Sequence, residues 1–212
     1  MPEWGGEKKE RLFSAGAQKY RWHVFKNLEE NELFTLMGKE IFPFIKRMNP
    51  NKESAFARYM QDAVFSIPNP QTLKAVITKL DELFENPEVR SRDMLGDIYE
   101  YVLSKMNSSG QVGMFRTPPQ IRDMMVRLID PQPHDTICDP ACGTTGFLIS
   151  AAEYIRDSYG TKMGDREWEH YSRGLLTGFD TGSTMLKISA MNLLLHSVHE
   201  PHIAYQDSVS KN

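Results

Sequence analysis

Apolar residues recur at spacings of three and four through five segments of the first half of the chain, residues 7–28, 32–46, 53–65, 70–84 and 91–106. That spacing places them along one face of a helix. In the last segment Leu95, Ile98, Tyr99, Val102 and Leu103 form one stripe. The breaks carry Asn49-Pro50-Asn51, Pro68-Asn69-Pro70 and Asn86-Pro87, where proline cannot continue a helix. From Gly113 the pattern changes to a helix over 119–128, a short apolar strand over 136–138, a glycine-bearing loop and a helix over 147–159. A strand over 175–179, a helix over 185–196 and a strand over 203–206 follow. Strands alternating with helices predict an α/β fold with a parallel sheet. The polar stretch 107–111 predicts a boundary between a helical domain, residues 1–109, and an α/β domain, residues 110–212.

Composition narrows the function classes. With 212 residues and 40% hydrophobic content the chain can bury a sizeable core. It has no apolar run of the roughly 18 residues that would span a bilayer, so the cytoplasm is the expected compartment and no membrane contact is expected. The two cysteines, Cys138 and Cys142, are too few and too close for a disulfide framework. A net charge of −3 excludes a protein that grips nucleic acid over its whole surface.

The chemistry concentrates in residues 135–149, Asp-Thr-Ile-Cys-Asp-Pro-Ala-Cys-Gly-Thr-Thr-Gly-Phe-Leu-Ile. Here a short strand runs into a glycine loop and then a helix, and ligands of α/β sheets bind at such strand ends. Gly143 and Gly146 would let a ligand approach the backbone. Asp139 ends the first strand, Asp180 the second, and Asp207 follows the third. Each suits a ligand that presents an ammonium group, ribose hydroxyls or an exocyclic amine. The plainer reading of each is a turn or cap carboxylate, but three carboxylates closing three successive strands form a pattern.

These residues carry a resemblance. Asp139-Pro-Ala-Cys-Gly-Thr-Thr-Gly-Phe-Leu resembles the first cofactor motif of amino-group DNA methyltransferases, and Gly113-Met-Phe-Arg-Thr-Pro resembles the motif that precedes it in type I modification subunits. Gly178-Phe-Asp, Met185-Leu-Lys-Ile and Met191-Asn-Leu-Leu-Leu-His are similar to that family's second motif and its helix. Met94-Leu-Gly-Asp-Ile-Tyr-Glu-Tyr resembles its entry into the catalytic domain, and Ile41-Phe-Pro-Phe-Ile and Gln61-Asp-Ala-Val-Phe resemble pieces of its helical domain. The likeness runs from about residue 20, and the order of motifs is more specific than any one of them.

The resemblance implies a Rossmann-like, S-adenosylmethionine-dependent adenine-N6 DNA methyltransferase, the modification subunit of a type I restriction-modification system. Its implied partners are DNA, a specificity subunit and a restriction subunit. Phe115 and Thr117 would border the cofactor's methionine end, with Thr117 bonding its carboxylate. Asp139, Ala141, Gly143, Thr145 and Gly146 would wrap the methionyl and sulfonium part, Asp180 would take the ribose hydroxyls, and Asp207 the adenine amine. Thr145 stands where the family frequently has glycine. The Asn-Pro-Pro-aromatic motif that holds the target base in this family does not occur among the 212 residues. The expectation is therefore a chain with most of the cofactor site, no catalytic residue of its own, and no turnover alone. A methyltransferase for another amine and a non-catalytic subunit-assembly module are the alternatives.

His196, His199 and His202 share a spacing of three, but no carboxylate or cysteine completes a tetrahedral set, so no metal is expected. Lys8, Lys9, Arg11, Lys19, Arg21 and Lys26, interleaved with Phe13, Tyr20, Trp22 and Phe25, read as a solvated amphipathic helix or a face toward nucleic acid or a partner.

Overall fold

The structure, a computed structural model, describes residues 15–47, 52, 54–85, 92–108 and 117–210. The chain forms two compact units. The first comprises Met1–Ile45 and Val64–Asn86, the second Lys46–Ala63 and Pro87–Asn212.

In the first unit a 3-10 helix, Ala15–Tyr20, leads into α1 (Trp22–Phe25) and α2 (Glu30–Leu36). A π-helical segment, Met37–Ile41, continues α2 into α3 (Phe42–Lys46). Across this unit lies α5 (Pro70–Glu85), started by the Asn69 side chain, which accepts from the Thr72 amide at 2.8 Å. Leu73 and Ile77, four residues apart on α5, bury with Phe25, Leu33 and Ile41. Asp81 accepts from Trp22 Nε1 and from Lys26 Nζ, each at 2.8 Å, joining α5 to α1. Lys74 donates to the carbonyls of Lys26 and Leu28, satisfying acceptors just past the end of α1. The single helix expected over 7–28 is, in its described part, a 3-10 turn and one short α-helix; residues 7–14 lie outside the described residues.

The second unit holds a three-stranded parallel sheet in the order β1 (Ile137–Asp139), β2 (Leu176–Asp180), β3 (His202–Tyr205). Around it are α4 (Ala55–Met60), α6 (Arg92–Ser108), α7 (Pro119–Ile129), α8 (Gly146–Tyr159), α9 (Asp165–Arg173) and α10 (Ser183–Leu195). Pro119 at the first helical position starts α7, and Asp130 in the left-handed region (φ 52°) ends it before Pro131. The core joins Leu148, Ile149, Ala152 and Ile155 of α8, Leu176 and Ile203 of the sheet, and Leu186, Ala190 and Leu193 of α10. Full burial of each leucine or isoleucine contributes about 1.5–3 kcal/mol.

Two helices from the stretch expected to be a separate helical domain, residues 1–109, belong to this unit. Ala55 of α4 enters the sheet's core, and both Arg58 and Tyr59 donate to the Ile203 carbonyl, at 3.0 and 3.2 Å, covering part of the β3 edge. For α6, the contact is along α10. The helix expected over 53–65 spans only α4, and the boundary at residue 109 itself lies outside the described residues. No helix among the described residues is long and apolar enough to cross a membrane.

Candidate functional site

Asp139 is the last residue of β1 and Asp180 the last of β2, and the two strands are adjacent and parallel. Their carboxylates therefore close the same end of the sheet, with the glycine loop between them. Asp139 Oδ1 accepts from the Ala141 amide at 3.1 Å. Asp180 reaches across to the loop: its Oδ2 accepts from the Gly143 amide at 3.1 Å, while Oδ1 accepts from the Gly182 amide at 2.7 Å. Asp207, exposed just beyond β3, accepts from the Val209 amide at 3.1 Å. The next residue, Ser208, donates to the Pro140 carbonyl at 2.6 Å, so the segment after β3 meets the loop after β1.

The turn bonds of the plainer reading are thus all present. They do not exhaust the carboxylates, because each ionised group has about four acceptor positions. The Cys142 thiol reports the local field. Burial, then the negative charges of Asp139 and Asp180, push its pKa up to about 12.

Loop geometry explains its residue types. Gly143 has φ 51° with no heavy atom within 4 Å of where a β-carbon would stand, so one face of the loop is open there. Thr145 also adopts a left-handed conformation, φ 65°, which accounts for glycine being frequent at this place in the resembling family. Its side chain is wholly buried and its amide donates to the Cys142 carbonyl at 2.7 Å. Gly146 has a packing requirement of its own. A β-carbon on it would lie 2.9 Å from Cζ of Arg122, so its close side belongs to that buried guanidinium. Beside Asp139, an apolar cleft of about 280 Å3 opens between Val126, Ile129, Ile137 and Phe147.

Thr117 is half-buried two residues ahead of α7. Phe115 lies outside the described residues. Ala141 is exposed on the loop. The structure therefore brings Asp139, Ala141, Gly143, Thr145, Gly146 and Asp180 together around one loop, with the Asp207 segment alongside. Among the described residues no group of three His, Cys, Asp or Glu could hold a metal. His196 is instead buried with Nδ1 3.0 Å from Glu153 Oε1.

Four residues at this site carried no functional assignment from sequence: Glu100, Arg122, Ser189 and Asn192. The available signal was a pair of polar residues three apart, Ser189 and Asn192, inside the otherwise apolar run of α10.

The family model for N-6 DNA methylase matches residues 90–212, more than half of the chain. The chain belongs to this family. Among curated relatives of this chain, the type I restriction enzyme EcoEI methylase subunit of Escherichia coli is 28% identical over 205 residues, covering 92% of this chain and 41% of that subunit. The EcoKI methylase subunit of Escherichia coli K12 is 28% identical over 191 residues, covering 84% and 34%. The fold is that of a crystallised modification subunit from Vibrio vulnificus assigned to a type I restriction enzyme, with a TM-score of 0.72 at 22% identity over 96% of this chain and 45% of that one. This chain spans less than half the length of each of these relatives.

Proposed function

We propose that this chain is the cofactor-binding part of an S-adenosylmethionine-dependent adenine-N6 DNA methyltransferase, the modification subunit of a type I restriction-modification system. It acts in the cytoplasm on DNA, with a specificity subunit and a restriction subunit as partners. The observation that carries this reading is the pair Asp139 and Asp180, closing adjacent parallel strands on either side of the glycine loop.

The donor set supports the cofactor class. Three carboxylates at one sheet end repel a pyrophosphate and favour a ligand with hydroxyls, amines and positive charge. When bound, S-adenosylmethionine supplies a methyl group on a cationic sulfonium. In this reading Asp180 uses its remaining acceptor positions for the ribose hydroxyls, and Asp207 accepts from the adenine amine. Asp139, Ala141, Gly143 and Thr145 surround the methionyl part, and Gly146 keeps the loop close to Arg122. Phe115 and Thr117 border the methionine end, and the Thr117 hydroxyl donates to the carboxylate.

Titration calorimetry of the 212-residue chain with S-adenosylmethionine tests the reading. Saturable binding is expected, weakened in Asp180→Ala by about 1–3 kcal/mol, the range for hydrogen bonds to a charged group and the unmet partners left behind. A folded chain that binds no S-adenosylmethionine would favour a subunit-assembly module instead.

A further inference from the structure

Two segments that resemble family motifs, Gly96-Asp-Ile-Tyr-Glu-Tyr and Met191-Asn-Leu-Leu-Leu-His, meet behind the glycine loop. Asn192, wholly buried on α10, donates through Nδ2 to Glu100 Oε1 of α6 at 2.6 Å and to the Thr144 carbonyl at 2.8 Å. One turn earlier, the buried Ser189 hydroxyl lies 2.5 Å from the Gly143 carbonyl and 2.7 Å from the Met185 carbonyl, with one proton to serve them. Glu100 Oε2 is also 3.8 Å from Arg122 Nη1, the guanidinium against which Gly146 packs.

This arrangement grips the loop where it is conformationally most expensive. Thr144 sits between two left-handed residues, Gly143 and Thr145, and a non-glycine residue in that region relaxes unless its surroundings hold it. A carboxamide with no exposure is costly to bury, and Asn192 Oδ1 has no partner among the described residues, so the retained bonds are those made by Nδ2.

We infer that Asn192 is a positioning residue of the cofactor loop: its Nδ2 ties Thr144 to Glu100 and thereby holds Gly143 and Thr145, on either side of it, in the left-handed conformations of the loop that receives the methionyl end of the ligand. The inference rests on the reading of this loop as a cofactor site. It makes ligand affinity depend on α6, a helix that contributes no residue to the ligand shell.

The test compares wild type with Asn192→Ala as the 212-residue chain, using calorimetry with S-adenosylmethionine and with adenosine, and amide hydrogen exchange without ligand. Loss of one buried hydrogen bond to the loop should weaken S-adenosylmethionine about tenfold. Adenosine, which lacks the methionyl part, should change less than twofold, and the amides of Gly143 and Thr145 should exchange faster while those of β2 do not. Parallel loss of both ligands, or unchanged affinity for S-adenosylmethionine, overturns the inference in favour of a general structural role. If wild type binds no S-adenosylmethionine, the cofactor reading fails, and exchange alone then decides: unchanged loop amides in Asn192→Ala refute the positioning of the loop. Should Asn192→Ala not fold, Glu100→Gln serves in its place, with a smaller loss of S-adenosylmethionine affinity and the same selectivity expected, and no selectivity counting against it.

Discussion

Gly96 of α6 lies directly against the imidazole of His196 at the end of α10; a β-carbon on it would stand 2.6 Å from Cδ2. Four residues further along α6, and four earlier along α10, Glu100 meets Asn192. The two helices therefore touch at successive turns while running in opposite directions, and the glycine sets their separation at the His196 end.

Gly96→Ala is expected to destabilise the chain by about 1–3 kcal/mol, the usual cost of overpacking. Helix propensity alone would act the other way, by about 1 kcal/mol in favour of alanine. Urea unfolding distinguishes the two, and a background of His196→Ala should remove the penalty. A stabilised single variant would mean that the imidazole moves aside freely.

Gly143→Ala isolates backbone conformation from crowding, because the space around a β-carbon there is empty. At φ 51° an alanine should cost about 1–2 kcal/mol. Gly146→Ala should lower stability by displacing Arg122 rather than by backbone strain, and shortening position 122 to alanine should relieve it. Thermal unfolding of the single and paired variants checks both, and equal behaviour of the two glycines would contradict the assignment.

Asp81 supplies a pH dependence to the first unit. The hydrogen bond from Lys26, then that from Trp22, hold its pKa below the ordinary 3.8. A carboxyl with a lowered folded-state pKa stabilises at pH above its unfolded value and loses that contribution as the pH falls through the lowered one. Stability should therefore decline with acid below about pH 4. The Asp81→Asn variant should be less stable at neutral pH and show a shallower acid limb in denaturant midpoints read by Trp22 fluorescence in a background with Trp4 and Trp168 replaced by phenylalanine. An acid limb identical to wild type would remove Asp81 from the account.

The 212-residue chain should incorporate no labelled methyl group into adenine-containing DNA, even when it binds S-adenosylmethionine. Methyl transfer requires the target amine held in line with the sulfonium methyl, and no Asn-Pro-Pro-aromatic sequence is present to hold an extruded base. Incorporation by purified chain, free of full-length enzyme, would show that other residues orient the base.

Local patterning made the α/β half legible. The strands at 137, 176 and 202 and the loop between Asp139 and Gly146 all followed from short apolar runs punctuated by glycine and aspartate. Helix α9 escaped because seven of its nine residues are charged, histidine or serine, leaving only Trp168 and Tyr171 to face the core. Its signals were local: the Glu167 carboxylate accepting from the Gly164 amide, and Gly174 at its end. The π segment was invisible because its apolar ends, Met37 and Ile41, are four residues apart, a spacing that an uninterrupted α-helix would show as well. The Glu100 to Asn192 bond joins residues 92 apart, a distance at which periodicity carries no information, and the same holds for α4 joining the sheet and α6 joining α10.

The contrast between the two cysteines makes the site experimentally addressable. Cys142 is buried with a thiol pushed up to about 12, whereas Cys138 is exposed on β1 beside Asp139. Thiolates, not thiols, attack alkylating reagents, so a maleimide dye at neutral pH has a single address in the native chain. A fluorophore attached there would sit one residue from the first carboxylate of the loop, giving an optical reporter of ligand arrival without any engineered residue.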